Sequence, residues 1–130
     1  MSTRLRAALC LLAVLDAAAG GLLVCWPGAW QEVLHPEAIG STFYPLQYTG
    51  AVWLARAALT VWVAARRPDA RALVGAAWAV EVPAELLMAA RTVGAGSWAV
   101  PFHLGRAALA AAVGVSLMWR VRTNRDTGSQ

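Results

Sequence analysis

Residues 72–90 read ALVGAAWAVEVPAELLMAA, with Glu81 and Glu85 as the only charges and Arg71 and Arg91 flanking the stretch. At a rise of ~1.5 Å per residue this segment is close to the ~30 Å thickness of a bilayer's hydrocarbon layer. Three further segments, 5–26, 46–65 and 98–119, are as long and as apolar. The reading is all-α: an integral membrane four-helix bundle in one domain over residues 1–122. An outer loop at 27–45 joins the first two spans, and a polar, disordered tail follows at 123–130.

With 59% hydrophobic residues and 14% charged, the chain of 130 residues has no material for a separate soluble domain. A soluble bundle would need a polar stripe on each helix. Residues 7–14 and 107–115 contain none. A basic balance can signal nucleic acid, but all eleven basic residues are arginine, and those outside the spans gather at span ends. Arg4 and Arg6 sit at the start of the first span; Arg66, Arg67 and Arg71 fill the middle link; Arg120, Arg122 and Arg125 follow the fourth. The positive-inside rule then puts both termini and the middle link in the cytoplasm, as for a multi-pass protein of a bacterial inner membrane with no nucleic-acid partner.

Glu32, His35 and Glu37 fall in the outer loop, and the 91–97 turn shares that side. Trp26, Trp30 and Trp98 are expected at the outer interface, and Trp62 and Trp119 at the inner one. Arg4, Arg6, an apolar run and Ala17-Ala18-Ala19 resemble a secretory signal. Because the apolar pattern continues to Trp26, a retained helix is expected. Cys10 and Cys25 lie roughly 22 Å apart along one helix, too far to bridge, and read as buried apolar fillers.

Proline and glycine punctuate the chain. Pro27 and Gly28 should stop the first helix. Residues 28–35 suit a turn or two in the interface plane, with Trp30, Val33 and Leu34 on one side and Gln31, Glu32 and His35 on the other. Pro45 and Pro101 fit first turns. Pro83 lies mid-span, so a kink is expected between Glu81 and Glu85. Short links make the second and third spans, and the third and fourth, antiparallel neighbours. Small residues such as Gly20, Gly21 and Gly75 allow close helix approach in lipid.

Six ionisable side chains lie within the spans. Counted from the cytoplasmic end, Asp16, Arg56 and Glu81 fall at a depth of roughly 14–17 Å, the midplane. Glu85 and Arg106 fall at roughly 20 Å, with His103 a turn beyond. A charge at such depth costs ~2.5–3.5 kcal/mol, so opposite signs should pair inside the bundle. Two clusters are expected: Arg56 with Asp16 and Glu81, and Glu85 with Arg106. They could simply hold the helices in register. Packed apolar residues often replace a buried ion pair without loss of stability, however, so intramembrane charge also marks a functional site.

Three readings follow: a pocket for a lipid-like, quinone or isoprenoid molecule at Glu81, Glu85, His103 and Arg106; proton-transfer chemistry of isomerase or oxidoreductase type by Glu81, Glu85 and His103; or a non-enzymatic subunit of a larger membrane complex or homo-oligomer. The first two require a cavity in the outer half of the bundle. Metal is not expected, because Glu32-Val33-Leu34-His35 supplies one Glu-x-x-His motif where a di-iron bundle uses two. The absence of lysine excludes Schiff-base chemistry.

The Asp-bearing first helix, the outer segment 26–44, Tyr44-Pro45-Leu46-Gln47-Tyr48-Thr49-Gly50 and the third helix with Glu81 and Glu85 together resemble the DoxX-like group of small bacterial membrane proteins. That resemblance, one of layout, implies the four-helix architecture and an association with quinol-oxidising or redox-stress assemblies. A second similarity, to emopamil-binding or EXPERA bundles, implies a sterol-like ligand near buried acids. Neither carries residue roles onto this chain.

Overall fold

The computed structural model describes residues 2–35, 44–93 and 98–126, and among these the regular structure is entirely helical. Helix α1 (Thr3–Cys25) begins where the Ser2 hydroxyl accepts a hydrogen bond from the Leu5 amide at 3.3 Å. It ends because Pro27 disfavours helical geometry in the residue before it, and Trp26 turns to φ −136°, ψ 57°. Pro27 opens the short helix α2 (Pro27–Leu34), where its missing amide hydrogen costs least. Helix α3 (Tyr44–Ala65) carries Pro45 in its first turn.

A 3-10 turn at Pro68–Ala70 leads into α4 (Arg71–Ala79), α5 (Glu81–Arg91) and finally α6 (Ala99–Asp126). In that turn the exposed Arg67 guanidinium donates to Asp69 at 2.8 Å, which holds the Asp69 carboxyl below its usual range. Counting α4 and α5 as one, four helices are long and apolar enough to cross a membrane.

Several expectations are corrected. The third span is interrupted at Val80, before Glu81 rather than between the two glutamates. Pro83 has no amide hydrogen to offer the carbonyl four residues earlier, that of Ala79, so the disturbance appears upstream of the ring. On α2 the inward face is Gln31, Leu34 and His35, while Val33 is exposed; spacing of three and four places those residues on one side. Cys10 and Cys25 are exposed on the outside of the bundle. Residues 123–126 continue α6 rather than starting a tail, and 127–130 lie outside the described residues, as do Glu37 and Gly40.

The burial pattern is inverted relative to a soluble protein. Leu11, Val14, Leu15, Val52, Val61, Leu73, Val80, Leu86, Leu87 and Val115 face outward, whereas Asp16, Arg56, Glu85 and His103 are buried. Helices α1 and α3 form one closely packed pair, and α4–α5 with α6 form the other; α3 meets the second pair chiefly at α4. Each pair has a glycine crossing. A Cβ on Gly20 would lie 2.7 Å from the Gly50 carbonyl oxygen, and one on Gly75 would lie 3.2 Å from that of Gly114. An apolar plug of Leu9, Val63, Val74, Trp78 and Leu117 fills the end bearing the chain termini. The polar groups lie above it, toward α2.

A buried charge network beneath a cavity

Helix spacing sets the components. Trp53 and Arg56 share a face of α3, Glu81 and Glu85 a face of α5, and His103 and Arg106 a face of α6. Arg56 grips Asp16 with two donors, Nε to Oδ2 at 2.5 Å and Nη2 to Oδ1 at 2.7 Å, and its Nη1 lies 2.6 Å from Glu81 Oε2. Arg106 Nη2 donates to that same Glu81 oxygen at 2.8 Å, and Nε to Glu85 Oε1 at 3.2 Å. Its Nη1 is 3.6 Å from Asp16 Oδ1.

The two layers read from depth are therefore one network. Depth counting treats a residue as a point on its helix axis, whereas a guanidinium on three methylenes reaches across more than one turn. Arg106 joins Glu81 to Glu85 and ties the second helix pair to the first.

Each guanidinium also lies on a tryptophan of the other pair: Arg56 is 4.0 Å from the Trp78 ring centre, and Arg106 is 3.9 Å from that of Trp53. In a desolvated interior such stacking contributes ~2 kcal/mol. The Thr60 hydroxyl donates back to the Arg56 carbonyl at 2.8 Å, a bond that bends helices slightly.

From Glu85 a second chain runs toward α2. His103 Nδ1 lies 2.5 Å from Glu85 Oε2, and His103 Nε2 lies 3.2 Å from His35 Nε2. A hydrogen bond between two ring nitrogens needs a proton on one and a lone pair on the other. The three groups form a path along which a proton can be exchanged. Three carboxylates face two guanidiniums here, with His103 against the third of them.

Above this chain is a cavity of about 290 Å³, lined by Glu81, Glu85, His103 and His35 on its polar side and by Trp30, Trp53, Phe102 and Met88 among its apolar walls. Trp30 packs edge-on against Trp53 and Phe102 at 5.9 and 5.1 Å between ring centres, so it forms a cavity wall rather than part of an outer interfacial belt. Trp26, Trp62, Trp98 and Trp119 do lie exposed on the bundle surface.

All six expected side chains meet in this network. Of the four expected at a pocket, Glu81, Glu85 and His103 line the cavity, whereas Arg106 stays behind the glutamates and does not. Sequence reasoning missed His35, Trp53 and Trp78. For His35 the signal was the spacing of residues 27, 31, 34 and 35 on one helical face. For the tryptophans there was none, because each serves an arginine on another helix. Glu32 is exposed while His35 points inward, so Glu-x-x-His does not act as a unit, and no metal-holding group of three His, Cys, Asp or Glu occurs among the described residues. Comparison with known proteins finds no family model, curated protein or solved structure that matches the chain.

Proposed function

We propose that this is a multi-pass protein of a bacterial inner membrane, with both termini cytoplasmic, that binds the polar head of a quinone-like or isoprenoid lipid beside Glu85 and His103. The observation that carries this reading is the cavity itself: apolar and aromatic walls closing on one polar side. Ligand pockets commonly have this composition, a mainly hydrophobic lining with a few convergent polar groups. At about 290 Å³ the volume is at the small end for such sites and suits a single ring or compact head. The apolar exterior around a charged interior supports placement in lipid, since charge within a membrane faces inward and pairs. The four-helix layout keeps the DoxX-like relationship as part of the proposal.

A second reading, proton-transfer catalysis by Glu81, Glu85 and His103, is favoured by the hydrogen-bonded path from Glu85 through His103 to His35. Mass spectrometry of material extracted from the purified protein tests the first. Wild type should carry a lipid or quinone, and His103→Phe and Glu85→Gln should lose it while still folding. A wild-type protein free of ligand, with both variants unchanged in growth and complex assembly, refutes the pocket.

A further inference from the structure

A second, more open cavity of about 420 Å³ lies between α3 and the α4–α5 break, walled by Val52, Ala55, Leu59, Ala77, Val80 and Ala84, with Arg56 and Glu81 at its inner edge. Glu81 and Ala84 also line the cavity beneath α2. The two spaces therefore meet at the first turn of α5. They meet because α3 packs on α1 and on α4 but has no comparable packing against α5. The break at Val80 and the small side chains Ala55, Ala77 and Ala84 leave the gap open on the bundle's apolar exterior.

Glu81 stands at the junction. Its Oε2 receives Arg56 and Arg106, while Oε1 is enclosed and has no hydrogen-bond partner among the described residues. A buried acceptor without a donor costs about 1–3 kcal/mol, and the Glu81 side chain lines both spaces. Beside it Glu85 has both oxygens engaged, by Arg106 and His103. What the junction can accept is a proton donor. An anionic head would meet two carboxylates, and an ether or ketone brings no hydrogen.

We infer that the ligand is a single-chain amphiphile with a hydroxyl-bearing head: the head occupies the cavity under α2 and donates to Glu81, and the hydrocarbon chain leaves through the α3/α5 groove into the surrounding lipid. This rests on the cavity being a lipid-head site and narrows it, since a quinone's carbonyls bring no hydrogen whereas its reduced, hydroxyl-bearing quinol does; it also adds the route of the chain. Because the groove is no more apolar than lipid tails, it selects by fit rather than by hydrophobic gain. Filling the groove should therefore exclude chains and leave heads unaffected.

The test uses the full chain in lipid nanodiscs, native mass spectrometry, and three probes: a hexadecyl-substituted phenol, its methyl ether, and ethylphenol. Wild type should bind both phenols and take the ether at least about tenfold more weakly, the equivalent of one lost hydrogen bond to a charged group. Ala55→Phe, an exposed position on the groove wall, should lose the hexadecyl phenol and keep ethylphenol. Ala77→Leu on the opposite wall should do the same, and serves if the first variant does not fold. Hexadecyl phenol binding equally to wild type and both variants would overturn the chain route while leaving the head site standing. Equal affinity for phenol and ether would overturn the donor role. Failure of both phenols to bind wild type would remove the head site as well.

Discussion

Arg56→Leu is the substitution that asks most of the network. In the wild type this side chain is 4% exposed, makes two hydrogen bonds to Asp16 and one contact of 2.6 Å to Glu81, and lies on Trp78. Leucine removes all of these at once. Glu81 keeps Arg106 at 2.8 Å, but Asp16, itself 1% exposed, is left with Arg106 at 3.6 Å alone. Breaking a buried pair by deleting one partner costs ~3–5 kcal/mol, and loss of the cation–π contact adds to it. On the scale of soluble domains of this size that is a fall of roughly 10–20 °C in Tm. The compensating change is Asp16→Leu with Arg56→Leu, which removes both charges and leaves Glu81 and Glu85 with Arg106. It should recover most of the loss, since apolar replacements for buried pairs are often neutral. Removing Glu81 too should not help, because Arg106 would lose its shortest contact. Thermal unfolding of detergent-purified protein decides the matter. A single variant within about 3 °C of wild type, under ~1 kcal/mol, would show that Arg56 does not carry these contacts.

Arg106→Leu should cost less than Arg56→Leu by the same assay, because its contacts are longer and its side chain is 11% exposed. Gly50→Ala puts a Cβ 2.7 Å from the Gly20 carbonyl oxygen and should destabilise by ~1–3 kcal/mol, whereas Gly21→Ala meets nothing within 4 Å and should be tolerated. Reporter fusions after Gln130 and beside Glu37 should report opposite sides of the membrane; the same side from both would refute the topology. The Asp69 carboxyl is held low by Arg67, so any stability it adds is present at neutral pH and lost as pH falls through its folded value. Both partners are more than half exposed and screened by solvent, so Asp69→Asn should leave the melting temperature at pH 7 unchanged.

The helices were legible because hydropathy and length act on whole segments, and Pro27, Pro45 and Pro101 mark ends that depend only on local backbone chemistry. The membership of the charge network was legible because charge inside an apolar run has few tolerable places to go. Who touches whom was not. Counting along an axis gives height but no rotation about it, so Arg106 could not be seen to reach Glu81 as well as Glu85. The stacking of Arg56 on Trp78 and Arg106 on Trp53 crosses between helix pairs, where sequence spacing carries no information. His35 was hidden differently: beside Gln31 and Glu32 it reads as part of the polar face of an interfacial turn until that face is known to fold over the bundle.

The division of the charges between the two helix pairs bears on how such a chain would be made. Asp16 and Arg56 are 40 residues apart and both belong to the first pair. A ribosome feeding a membrane therefore releases α1 with a lone carboxylate, and the matching cation emerges only with α3. Closing that first hairpin cancels its charge before Glu81 has emerged from the ribosome. The second hairpin then arrives with one cation, Arg106, for its two glutamates, so the first half enters lipid balanced and the second carries one uncompensated carboxylate. The contacts from Arg56 to Glu81 and from Arg106 to Asp16 are left as the last step, a docking that shares the two guanidiniums among all three carboxylates.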